Sequence, residues 1–157
     1  MSQLNTPIDV AAKVDLARSL YLNGYNCAQA VFAAFSEEMG IPQATALRMA
    51  SGMGGGMGGL RMTCGAVSAM AMVLGTIRGY DQAEDYDGKK QLYADIQRLH
   101  GEFIAVHEIS NCRELLAKSG IVAKAQPAER TPEYYRKRPC ARYIELCAEL
   151  LAKELGL

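Results

Sequence analysis

The sequence predicts an all-α, single-domain bundle of about six or seven helices with a glycine-rich loop. Three observations predict it. Apolar residues recur at helical spacing along most of the chain. No stretch alternates apolar and polar residues as a half-buried strand would. The 157 residues, half of them hydrophobic, suffice for one core and fall short of the length at which chains divide, so residues 1–157 are read as one domain.

The elements follow in order. "TPIDVAAKVDLARSLYLNG" opens with Thr6 as a cap, Pro7 at the first helical position and Asp9 completing a capping box, and it stops at Asn23 and Gly24. A second helix is expected over about residues 26–39, with Val31 and Phe35 on one face and Gly40 as its stop. A third opens at Pro42 and fades into a glycine run, and a fourth covers about residues 63–77. The fifth carries the clearest stripe: Leu92, Ile96, Leu99, Phe103 and Val106 step by fours and threes. Asp81, Glu84, Asp85 and Asp87 precede that stripe, where the helix dipole favours acidic residues. A short helix, "NCRELLAKSG", is followed by a polar connector holding Pro127, Pro132 and Pro139, and "CARYIELCAELLAKELG" is the last helix.

The charge balance excludes some functions. Seventeen basic and seventeen acidic residues cancel. A nucleic-acid binder needs a basic surplus to neutralise phosphates, so none is expected here. Near-zero charge removes the repulsion between copies and admits a homo-oligomer. The N-terminal "MSQLNTPIDVAAK" lacks a basic start followed by an apolar run, and the longest apolar stretch, about residues 62–77, is interrupted by Thr, Ser and two glycines. The expectation is a cytoplasmic chain without a membrane span, whose five cysteines are reduced, catalytic or metal-bound rather than structural disulfides.

Four of those cysteines share a setting. Cys27 follows Asn26, Cys64 follows Thr63, Cys112 follows Asn111 and Cys140 follows Pro139, so each is expected in the first turn of a helix. Free N–H groups and the positive end of the dipole converge there and favour a thiolate. Arg113 adjoins Cys112, Arg138 lies two residues before Cys140 and Arg61 three before Cys64, which lowers thiol pKa values further. Cys147 sits mid-helix, one heptad after Cys140, and is read as a core residue, with a resolving thiol as the alternative.

The glycine run precedes Cys64. Six of the eight residues from 52 to 59 are glycine. Gly54, Gly56 and Gly59 match G-x-G-x-x-G, yet no strand precedes them and no Gly-Lys-Ser/Thr follows, so neither a dinucleotide fingerprint nor a P-loop applies. Met53, Met57, Leu60 and Met62 call for burial, which sits poorly with a flexible linker. The better reading is backbone packed against a site. N–H groups of Gly54, Gly55, Gly56, Gly58, Gly59 and Gly65 would face a thiolate or a cluster sulfur as cofactor-binding groups.

A lone Cys after "NGYN", then "GGGMGG…CGAVSA", then two later single cysteines resembles the C_GCAxxG_C_C family of redox-active proteins, over about residues 20–151. The family's four cysteines fall on Cys27, Cys64, Cys112 and Cys140, and Cys147 lies outside the pattern. Ala69 stands at the motif's last glycine and Thr63 precedes Cys64, both departures from the pattern. The resemblance implies a redox role without naming a reaction.

Three functions compete. Cys27, Cys64, Cys112 and Cys140 would ligate an iron–sulfur cluster or another metal for electron transfer; their dispersed spacing is unlike the paired cysteines of zinc modules. Alternatively, two of the same four would cycle metal-free through a disulfide, exchanging electrons with a redox partner protein. Lastly, the cysteines would be inert in a structural or partner-binding helical protein. No C-x-x-C-H is present for covalent haem. His100 and His107, one heptad apart beside the core stripe, are read as packed, with ligation or proton transfer as the alternative. The methionines read as adaptable core filler, and the basic, tyrosine-rich "ERTPEYYRKRPCARY" mostly as a solvated loop whose Arg136, Lys137 and Arg138 adjoin Cys140.

Overall fold

The computed structural model describes residues 7–156. Among them the regular structure is helical: α1 (Val10–Leu22), α2 (Cys27–Ala34), α3 (Ser36–Met39), α4 (Gln43–Ala50), α5 (Gly65–Arg78), α6 (Tyr86–His107), α7 (Cys112–Ala117), α8 (Pro132–Lys137) and α9 (Cys140–Leu155). No helix among the described residues is long and apolar enough to cross a membrane.

Helix α2 is the centre of the bundle. Ala28, Ala30, Val31, Phe32, Ala33 and Ala34 are all buried, because α1, α4 and α5 cover it on different sides. Its small residues let those helices approach closely. Helix α9 buries one stripe, Tyr143, Ile144, Cys147, Ala148, Leu151, Ala152 and Leu155, against α1, α2 and α5. The steps of three and four in that stripe are those of a core-facing helix, and Cys147 is fully buried in it.

Several expected boundaries shift. Thr6 lies outside the described residues. Asp9 is itself the cap of α1, accepting from Ala12 N at 3.1 Å, and Pro7 stands ahead of the helix. The expected helix over residues 26–39 breaks at Phe35, whose φ of −106° and ψ of 16° end α2 and let its fully buried ring turn into the core. Helix α8 forms inside the connector expected to be irregular, because Thr131 caps Tyr134 N and Pro132 takes the first turn. On α6, Leu99 and Phe103 are buried but Val106 is 59 % exposed. The stripe continues instead to His107, four residues after Phe103, whose ring meets Tyr143 edge-on at 4.7 Å between centroids.

One polar contact is built into this core. Glu154 of α9 is buried and accepts from Arg78 at 2.7 Å and Arg98 at 2.8 Å, tying α5 and α6 to the end of α9. Burial pushes its carboxyl pKa up, but the two guanidiniums outweigh burial and hold it below the ordinary carboxylate value. A depressed carboxyl stabilises the fold above its unfolded pKa and loses that contribution as pH falls through the folded value. Glu154→Gln is therefore expected to cost about 1–2 kcal/mol at neutral pH, less than a fully enclosed pair because both arginines are partly open to water. The deficit should shrink on acidification below about pH 4.3. Thermal unfolding of both proteins across pH checks this, and a deficit independent of pH would count against it.

Candidate functional site

The site is assembled where four helix starts meet. Asn26 caps α2 by accepting from Gln29 N at 2.9 Å, and Gln29 accepts in return from Asn26 N at 3.0 Å. The same two amides reach outward. Asn26 donates to Ser51 O at 3.1 Å and Gln29 to Leu47 O at 3.0 Å, which fixes the start of α2 against the end of α4. Cys27, the first residue of α2, is placed by this frame.

Cys64 and Cys112 are placed by an isolated antiparallel bridge. Thr63 pairs with Asn111, Cys64 N donates to Ser110 O at 2.8 Å and Cys112 N donates to Met62 O at 2.5 Å. The bridge holds the starts of α5 and α7 side by side. Cys64 occupies the cap position of α5 rather than its first turn, and Thr63 makes no side-chain cap. Asn111 does cap α7, accepting from Glu114 N at 3.0 Å. Cys140 begins α9 directly after Pro139.

Residues 54–62 fold back on themselves. Gly58 N donates to Gly52 O at 2.8 Å, Arg61 N to Gly55 O at 2.9 Å and Met62 N to Gly56 O at 3.0 Å. This backbone ladder makes the segment a built wall. It also reverses one expectation: Met57, Leu60 and Met62 are exposed, because the turns direct backbone inward and side chains outward. Only Met53 packs partly against the core. Gly56 needs its positive φ of 67°, and a Cβ there would stand 2.5 Å from Met62 N. The wall faces a cavity of about 530 Å³ that Cys27, Cys112 and Cys140 line together, with Gly54, Gly55, Gly58 and Gly59 on one side. Gly56 does not line it.

Cys27 and Cys64 form the chemical centre. Cys64 neighbours Cys27, and its thiol together with the backbone N–H groups of Gly55, Ala28 and Gly65 favours the Cys27 thiolate. Together they outweigh burial and bring the Cys27 thiol down to about 6. Gly65 lies so close that a Cβ there would stand 2.6 Å from Cys27 Sγ. Cys64 behaves oppositely. Its hydrogen bond to Cys27, its burial and the neighbouring negative charge hold its proton well above the ordinary thiol range. Burial, followed by the charge of Cys27, pushes Cys140 up to about 12 even though Arg138 acts to lower it. The expectation that all four helix starts depress thiol pKa values is thus corrected: burial and neighbouring sulfurs defeat the dipole at Cys64 and Cys140. Cys147 is also raised, by burial first and by the charge of Cys27 second. Arg61 donates to Cys112 Sγ at 3.6 Å and to Lys124 O at 2.8 Å.

Sequence reasoning missed part of the cavity. Arg130, Tyr21 and Tyr134 line it together with Arg138. Arg130 stacks over Tyr134 at 4.6 Å and Tyr21 at 5.0 Å, and it donates to Tyr25 O at 3.1 Å. The Thr131-Pro132-Glu133 run is a helix-start signal that could have found α8 and so placed Arg130 at its entrance. The two histidines are elsewhere in the bundle: His107 packs on Phe103 and Tyr143, and His100 pairs with Ser110 Oγ at 2.8 Å.

The four expected ligands are brought together unequally. Cys27, Cys112 and Cys140 share the cavity, while Cys64 is buried behind it and turned to Cys27. Among the described residues no three Cys, His, Asp or Glu side chains are grouped as a single metal ion requires.

No curated protein and no solved structure is matched by the chain. A family model described as "Putative redox-active protein (C_GCAxxG_C_C)" matches residues 25–154, a span that holds the cavity-lining cysteines, the glycine wall and Cys64. The chain belongs to the C_GCAxxG_C_C family of redox-active proteins.

Proposed function

We propose that the chain carries electrons as a dithiol–disulfide couple on Cys27 and Cys64. What supports this reading is the sulfur pair itself: Cys27, whose pKa is lowered by Cys64 and by backbone amides, beside Cys64, whose pKa is raised. The thiolate is the attacking form in thiol–disulfide exchange. Cys27 Sγ⁻ attacks one sulfur of an oxidised disulfide partner. The partner's S–S bond breaks, a mixed disulfide forms and one partner thiolate leaves. Cys27 is then neutral, so the hydrogen bond and charge that held the Cys64 proton are gone. Cys64 gives its proton to the departing thiolate and attacks Cys27 Sγ, the mixed disulfide breaks, and the second partner thiolate departs. The protein pair is oxidised by two electrons and the partner disulfide is reduced to two thiols, the second thiolate taking its proton from water.

Treatment with a mild disulfide oxidant is expected to reduce the free thiols from the five of the reduced chain by two. Peptide mass mapping should place the new bridge between Cys27 and Cys64. An unchanged count, or a bridge elsewhere, overturns the reading.

A second reading is supported by the three cysteines that share the cavity. Cys27, Cys112 and Cys140, with Cys64 as a fourth ligand, would hold an iron–sulfur cluster, which would supply one-electron transfer. Anaerobic purification with absorption spectra and metal analysis separates the two. A brown protein with stoichiometric iron favours the cluster, and a colourless one after reconstitution removes it.

A further inference from the structure

We infer that the cavity binds a small, carboxylate-bearing disulfide, or its thiol product, as the redox substrate of Cys27. The inference rests on the dithiol reading above and adds the substrate class. It is carried by charge. Arg61, Arg130 and Arg138 line the cavity and no Asp or Glu does. None of the three guanidiniums joins an ion pair among the described residues, although the chain as a whole is charge-balanced. One Cys27 thiolate leaves two positive charges uncompensated in the cavity lining.

Unpartnered donors point the same way. Tyr21 is 2 % exposed and lines the cavity, yet its Oη has no hydrogen-bond partner, and neither does the buried Nη1 of Arg130. Buried donors without acceptors are rare in native proteins. A carboxylate pairs with guanidinium groups in bidentate geometry, and three guanidiniums line this cavity. The volume decides between anions. About 530 Å³ is in the range of small-molecule pockets and far exceeds a single tetrahedral oxyanion. The electrophile must be one that a thiolate attacks, which a disulfide sulfur is. Ala125, Pro127 and Ala128 in the lining supply apolar area for the carbon skeleton. Atoms balance as in the couple above: the acidic disulfide takes two electrons and leaves as two thiols.

The test uses the reduced full chain and three disulfides of similar size: dithiodipropionate, a dianion; bis(hydroxyethyl) disulfide, neutral; and cystamine, a dication. Each rate of Cys27 modification, read by peptide mass, is divided by the rate of the same reagent with free cysteine. The dianion is expected to exceed the dication by about 10- to 1000-fold at low salt, the range of electrostatic focusing in clefts. High salt should compress the ratio. Arg138→Gln and Arg130→Gln should each reduce it, and Arg138→Gln together with the salt series keeps the test informative if the stacked Arg130 proves necessary for folding. Equal normalised rates for all three reagents overturn the acidic-substrate inference and leave the dithiol reading standing. Absence of both a Cys27 adduct and a Cys27–Cys64 disulfide with every reagent overturns both.

Discussion

Alkylation of Cys27 by iodoacetamide is expected to reach half its maximum near pH 6, where its pKa is placed, against about 8.5 for an unperturbed thiol. Cys64→Ala should move that midpoint upward, because the Cys64 thiol is the largest single influence holding the anion. If the midpoint returned to about 8.5, the thiolate fraction at pH 6 would fall about hundredfold. The rate should fall less. A more basic thiolate is intrinsically more nucleophilic, with a Brønsted slope of about 0.4–0.5, which recovers roughly tenfold. The net expectation is a drop of about tenfold at pH 6 and a gain in the limiting rate above pH 9. Labelling followed peptide by peptide separates Cys27 from the buried Cys140 and Cys147, whose thiols are raised and should stay nearly silent at pH 7. A Cys27 midpoint at or above the free-thiol value, or one indifferent to Cys64→Ala, contradicts the arrangement.

Gly65→Ala should disable the same sulfur by a steric route. Two effects oppose each other. Alanine in place of a helical glycine favours α5 by up to about 1 kcal/mol. The new Cβ, however, would meet Cys27 Sγ at 2.6 Å and Met53 O at 2.9 Å, and overpacking of this kind costs about 1–3 kcal/mol. The clash should win, with a net loss of about 1 kcal/mol and displacement of Cys27 from its amide donors. Gly75→Ala is the control. It sits on the same helix with nothing within 4 Å of its Cβ direction, so only the favourable contribution remains. The expected pattern is a lower melting temperature and a raised Cys27 alkylation midpoint for Gly65→Ala, with a higher melting temperature and unchanged midpoint for Gly75→Ala. Equal behaviour of the two variants would refute the close approach of α5 to the sulfur.

The sequence reveals what is periodic or capped. The stripe of α9 is legible because steps of three and four admit one buried face. Asn26 and Asn111 are legible because a helix start needs an acceptor for its free N–H groups, and both accept as expected. The break at Phe35 is not legible, since nothing local stops a helix there and only the buried position of the ring accounts for it. The exposed side chains of Met57, Leu60 and Met62 follow from a folded glycine backbone whose hydrogen bonds join residues three to six apart, a mixture with no periodic signature. The placement of Cys27 and Cys64 as neighbours comes from the packing of α2 on α5. Their opposite pKa shifts depend on that adjacency and on burial, which helix-start position alone does not supply. Arg130 escaped notice because the cavity is closed by a connector, and its ring partners are Tyr134 of the adjoining α8 and Tyr21 of the distant α1.

The amide of Asn26 couples the helix cap to the charge at the thiol. As Asn it offers one acceptor to Gln29 N and one donor to Ser51 O. Deamidation to Asp preserves the acceptor and abolishes the donor, so the helix cap survives while the joint to α4 becomes a carboxylate facing a carbonyl oxygen. The same event places a negative charge one residue from Cys27 and opposes its ionisation. Spontaneous chemistry at a side chain that takes no part in electron transfer would thus blunt the thiol slowly, without unfolding the bundle.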